Sequence, residues 1–68
     1  MKPISGKRMC RILEAKGWVL IRIKSSHYIY RQPGLPQLIV VPVHKNKDLK
    51  SGTQHSIMRD AGLNESDL

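Results

Sequence analysis

Gly17-Trp18-Val19-Leu20-Ile21-Arg22-Ile23-Lys24-Ser25-Ser26-His27-Tyr28-Ile29-Tyr30 decides the fold, because it holds two runs of strand-forming residues around a short polar break. Trp18 to Ile23 is rich in β-branched and aromatic residues, Lys24-Ser25-Ser26 is polar, and Tyr28-Ile29-Tyr30 resumes strand character. The pattern predicts a β-hairpin turning at Lys24-Ser25-Ser26, with His27 at its mouth. Gly17 suits the left-handed position just past a helix, so the hairpin follows a helix directly.

Upstream, that helix runs from Gly6 to Lys16 behind Ser5 as N-cap, with Met9, Ile12 and Leu13 at helical spacing on one face. Lys7, Arg8 and Arg11 are neighbours on the other face. Downstream, Gln32-Pro33-Gly34-Leu35-Pro36 is a turn, and Leu38 to Val41 is a third strand closed by Pro42, which has no N–H for a ladder. After the polar loop Lys45-Asn46-Lys47-Asp48, a second helix starts near Lys50 or Ser51. It ends at Ala61 with Gly62 as cap, turning Ile57, Met58 and Ala61 inward and leaving Leu63 to pack back on its last turn. Asn64 to Leu68 forms a loose turn or frays.

The order is α-β-β-β-α, an α+β fold with a three-stranded antiparallel meander and both helices on one face, in one domain spanning residues 1–68. Simple alternation puts Trp18 and Leu20 on one side of the first strand and Val19, Ile21 and Ile23 on the other. Both sets are apolar. Two helices cover only one face of such a sheet, so the other is left for a partner.

Charge narrows the kind of partner. Twelve Lys and Arg against five Asp and Glu give +7, and the excess is one-sided. Residues up to Lys47 carry ten basic side chains and one acid, Glu14, whereas from Asp48 onward there are two basic and four acidic. A polyanion is the expected partner, with DNA, RNA and an acidic protein all open on charge alone. A lone cysteine, Cys10, excludes an internal disulfide and suits a reducing cytoplasm. The opening residues show no signal-peptide pattern and no apolar run spans a bilayer, so no membrane association is expected.

Among the candidates for chemistry, His27 has the richest surroundings. Arg22, Lys24, Ser25 and Ser26 precede it, and imidazole both accepts and donates protons near neutral pH. RNA cleavage needs a base for the 2′-hydroxyl and an acid for the leaving 5′-oxygen, and a nearby cation such as Lys24 stabilises charge building on the phosphoryl oxygens. His44 follows the third strand and His55 lies in the second helix. A second histidine could serve as the complementary acid, but nothing in the spacing forces either toward His27. A plain surface role is the simpler reading for His55, while His44 stays open between the two. Cys10, His27, His44 and His55 lack the short spacings of a structural zinc site, so no metal or other cofactor is expected. Cys10, beside the apolar stripe, reads as a buried and inert thiol. Tyr28 and Tyr30 share one face, either as base-stacking platforms or as ordinary strand residues. A DNA-binding role is weaker, because no helix-turn-helix spacing appears.

The chain resembles the HicA family of bacterial toxins over nearly its whole length, Ser5 to Leu63. The resemblance rests on Gly17-Trp18, on Arg22-Ile23-Lys24 leading to Ser26-His27-Tyr28-Ile29-Tyr30, and on Val40-Val41-Pro42-Val43-His44. It continues through Asp48-Leu49-Lys50-Ser51-Gly52-Thr53 into Ser56-Ile57-Met58-Arg59-Asp60-Ala61-Gly62-Leu63. It implies a double-stranded-RNA-binding-like fold, metal-independent mRNA cleavage by a single histidine, and neutralisation by a HicB-type antitoxin. The histidine of the family's Gly-Ser-His motif falls on His27. Serine at position 25 departs from that motif, and carries a modest strain cost if the turn needs positive φ. The expectation is a cytoplasmic mRNA interferase, monomeric when free, with His27 as general acid or base. RNA would be held by Lys7, Arg8, Arg11, Arg22, Lys24, Ser26, Arg31, Lys45 and Lys47. The rival is a non-catalytic RNA-binding module of the same fold, in which His27 only contacts a phosphate or a 2′-hydroxyl.

Overall fold

The computed structural model describes all 68 residues. Ser5, in extended conformation, accepts a hydrogen bond from the Arg8 amide at 3.1 Å and starts α1, Gly6–Ala15. Lys16 caps it and Gly17 follows at φ +94°, as its position predicts. The strands are β1 (Val19–Lys24), β2 (His27–Arg31) and β3 (Ile39–Pro42), in sheet order β1-β2-β3, both pairs antiparallel. The second helix, α2, covers Ser51–Ala61 and ends at Gly62, φ +67°, with the Leu63 amide bonded back to the Met58 carbonyl at 2.8 Å. This is the α+β, double-stranded-RNA-binding-like arrangement read from the sequence, with its boundaries moved by a residue or two.

One core joins both helices to one face of the sheet. Met9, Ile12 and Leu13 of α1 and Ile57 and Met58 of α2 pack with Trp18, Tyr30, Ile39 and Val41. Two glycines let the layers close. A Cβ on Gly6 would run into the Pro42 carbonyl, so only glycine lets the start of α1 sit on the end of β3. A Cβ on Gly17 would lie 2.5 Å from the Gln32 side chain. In the orientation its neighbours dictate, the Gln32 amide donates to the Gly17 and Lys16 carbonyls at 3.0 and 3.2 Å and accepts from Trp18 Nε1 at 3.2 Å. Gln54, also buried, donates to the Lys2 carbonyl at 2.7 Å and accepts from the Ile4 amide at 3.2 Å, tying the N-terminal strand of chain to α2.

One expectation needs correction, and one pair of alternatives is resolved in favour of the turn. First, Val19, Ile21 and Ile23 do not share a face. Leu20 lies opposite Tyr30 but Arg22 lies opposite Ile29, which leaves Ile21 as the extra residue of a β-bulge. Beyond the bulge the faces swap: Ile23, opposite Tyr28, joins the helix side, and Trp18 sits before β1 with only 2% of its surface exposed. Second, the C-terminus is held. Glu65–Asp67 forms a 3₁₀ turn after Asn64, and Asp67 pairs with Lys16 at 2.9 Å while the N-terminal amine lies 3.5 Å from Glu65. No helix is long and apolar enough to cross a membrane.

Candidate active site and nucleic-acid interface

Cross-strand partners in an antiparallel sheet project on the same side, so the register assigns every side chain to a face. Tyr28 and Tyr30 face the helices. Tyr30 is fully buried, with its hydroxyl donating to Glu14 at 2.7 Å, and Tyr28 packs against the core. Neither is a stacking platform. Burial, reinforced by hydrogen bonding to Cys10 and Glu14, pushes the Tyr30 hydroxyl well above the ordinary phenol range, and burial also raises the Cys10 thiol. Cys10 is thus buried, as expected, with its reactive thiolate form disfavoured.

The open face carries the rest. His27 is exposed at the first position of β2, with Lys24 of β1 on one side and Pro42 of β3 on the other. The next row holds Ile29 between Arg22 and Val40, and Arg31 follows opposite Val19. Arg22, Lys24, His27 and Arg31 therefore share one surface around an apolar strip of Ile29 and the half-exposed Val19, Ile21 and Val40. The bulge at Ile21 brings Arg22 and Lys24 onto this surface; with unbroken alternation they would sit beside Leu20 on the helix side.

The turn that presents His27 is two residues long, Ser25-Ser26, and Ser25 has φ +55°. Glycine is the favoured residue where a two-residue hairpin needs positive φ, so serine holds this turn at some strain. The Ser26 carbonyl accepts from the Val43 amide at 2.8 Å, which anchors the turn to the chain leaving β3.

The other cations are not on this surface. Lys7, Arg8 and Arg11 are exposed on the outer side of α1, across the helix layer from the open face. Arg8 and Arg11 border a groove shared with Lys16 and Asp67, where the Asn64 amide and then Lys16 hold the Asp67 carboxyl below its usual range. Lys45 and Lys47 lie in the loop after β3. Beside that loop is a cleft that no local sequence signal announces. It has a volume of about 480 Å³, lies between the end of β3 and the start of α2, and is lined by Pro42, His44, Lys47, Asp48, Lys50 and Thr53. Its lining comes from one stretch, residues 42–53, where the chain turns from β3 into α2. His55 is exposed on α2, and no cluster of His, Cys, Asp or Glu forms a metal-holding group.

The arrangement offers an imidazole to an anion lying across a cationic sheet, with no carboxylate among its cross-strand neighbours. No curated protein matches the chain. The model of the family described as HicA toxin of bacterial toxin-antitoxin matches residues 6–63, which takes in both helices and the whole sheet. The chain belongs to the HicA family of toxins from bacterial toxin–antitoxin systems.

Proposed function

We propose that this toxin is an endoribonuclease that cleaves mRNA without a metal, using His27 in proton transfer. The observation that carries the reading is the bulge at Ile21, which collects Arg22 and Lys24 beside His27 on the open face. A phosphate drawn to those cations lies within reach of the imidazole, and the same cations stabilise charge that grows on its oxygens as the 2′-hydroxyl attacks. The open face has no aromatic residue, so contacts to phosphate and sugar dominate over base stacking. Lys7, Arg8 and Arg11 add attraction at longer range, Lys45 and Lys47 add it from the loop after β3, and Ser26 shapes the turn.

The toxin–antitoxin family implies an antitoxin partner. We infer a HicB-type protein that lays acidic side chains over Arg22, Lys24 and Arg31 and apolar ones over Ile21, Ile29 and Val40, excluding RNA by occupying its place. The test is incubation of purified toxin with mRNA in excess chelator, beside His27→Ala. Cleavage by the wild type alone supports the nuclease. Binding without cleavage by both proteins supports the non-catalytic RNA-binding module instead.

A further inference from the structure

We propose that His44 is the second catalytic residue of this site, sharing proton transfer with His27 across the scissile phosphate. The proposal rests on the nuclease reading above. One imidazole cannot both take the 2′ proton and already hold the proton needed by the 5′-oxygen in a single displacement, so a complementary group is required.

The geometry points to His44 through the ladder. His27 lies directly opposite Pro42, and the Val43 amide bonds to the Ser26 carbonyl at 2.8 Å, so the pairing continues one residue past β3. Val43 packs against the core on the helix side. Carried one position past Val43, the same alternation would return His44 to the side of Pro42 and His27, where the diagonal spacing of an ideal ladder is roughly 7–8 Å. That spacing suits two groups that each hydrogen-bond, at about 2.6–3.2 Å, to opposite ends of an in-line array at one phosphate.

His44 is exposed, and with Pro42 it lines the cleft of about 480 Å³ described above. It is fixed at its other end, where its carbonyl accepts from the Lys47 amide at 3.0 Å and Lys45 takes φ +52°. Lys47 and Lys50 make the cleft attractive to the RNA backbone, and Asp48 is the one carboxylate there. On the His27 side the charged neighbours are Lys24 and Arg22 from β1, while β3 places only Pro42 opposite it.

In the step, one imidazole takes the proton from the 2′-hydroxyl as the 2′-oxygen forms its bond to phosphorus. The bond from phosphorus to the 5′-oxygen breaks, and the other imidazolium gives its proton to that oxygen. The products are a 2′,3′-cyclic phosphate and a 5′-hydroxyl, with one proton taken up and one released.

The test compares wild type, His44→Ala, His44→Gln and His27→Ala on RNA and on the same RNA with sulfur in place of the bridging 5′-oxygen at the cut site. A thiolate leaves without protonation, so it removes the need for the acid. Expected are retained RNA affinity and thermal midpoint, cleavage lowered about 100-fold or more in both His44 variants, and loss of one limb of the pH–rate profile. The sulfur substrate should restore cleavage to one of the two histidine variants and not to the other. His44 variants that cut RNA within about threefold of wild type overturn the proposal. So do variants whose loss tracks weakened RNA binding, with both pH limbs kept and the same deficit on the sulfur substrate. A wild type that cuts neither substrate overturns the nuclease reading itself, and this proposal with it.

Discussion

The two faces of one sheet divide the work of this molecule. The helix-covered face buries Tyr30 and Val41 completely against Met9 and Leu13 and holds the fold. The open face leaves Val19, Ile21 and Val40 about half exposed and carries His27 among Arg22, Lys24 and Arg31. The proposed reactivity thus lies on the opposite side of three strands from the core that holds the fold. A substitution on one side should therefore be silent in the measurements that report on the other.

The largest break in that separation is sought at His27. His27→Ala should lower RNA cleavage by about 10²–10⁴-fold, the usual worth of a general acid–base group, and leave the denaturant midpoint unchanged. A matching fall in stability would mean that the open face also holds the fold. The reciprocal experiment is Leu13→Ala, which removes a fully buried side chain and should destabilise by about 2–5 kcal/mol in equilibrium unfolding. Val40→Ala on the open face, at 45% exposure, should cost less than about 1 kcal/mol.

Charge offers a second contrast. Reversal of Arg22 and Lys24 should weaken cleavage and RNA affinity together, whereas reversal of Lys7 and Arg11 should weaken affinity alone, since phosphate contacts position a protein without reading bases. In a salt titration each phosphate no longer neutralised should lower the slope of log affinity against log salt by about 0.7 on single-stranded RNA. Equal effects of the two pairs on cleavage would place the substrate elsewhere.

The buried side also has its own pH dependence. Burial raises both Cys10 and Tyr30, so the folded chain keeps protons that the unfolded chain releases. Their contribution to stability is complete below the ordinary thiol and phenol ranges and is lost as pH rises through and beyond them. Chemical denaturation from pH 8 to 11 should show stability falling with pH, and Tyr30→Phe should flatten the phenol part of that fall. It should also cost about 1 kcal/mol at neutral pH by removing the bond to Glu14. A small effect of opposite sign is expected at the turn between the faces. Ser25→Gly relieves a positive φ and should raise stability by about 1 kcal/mol without changing the products of cleavage.

How much of this was legible in the residues follows from the range of the interactions. Helix and strand positions, the Gly17 and Gly62 caps and the His27 hairpin are local signals, and each is where the sequence predicts it. The bulge was not legible. Val19-Leu20-Ile21 is an unbroken apolar run that fits either face, and only the β2 register shows that Ile21 is the unpaired residue. That one residue reverses the faces of Arg22, Ile23 and Lys24, and so changes which cations can serve His27. The cleft beside His44 was not legible either, since its shape depends on the path the chain takes from β3 into α2. The grouping of Lys7, Arg8 and Arg11 with Arg22 and Lys24 was a reading of charge along the chain. In three dimensions the helix layer separates them.

Whether the open face carries a histidine nuclease is read from the ends of the RNA fragments. Wild-type toxin and His27→Ala are incubated with a defined mRNA in excess chelator, and the products are mapped by end-group chemistry. The expected outcome is 2′,3′-cyclic phosphate and 5′-hydroxyl ends from the wild type and intact RNA from the variant. Fragments with 5′-phosphate ends, or equal cutting by His27→Ala, would contradict it.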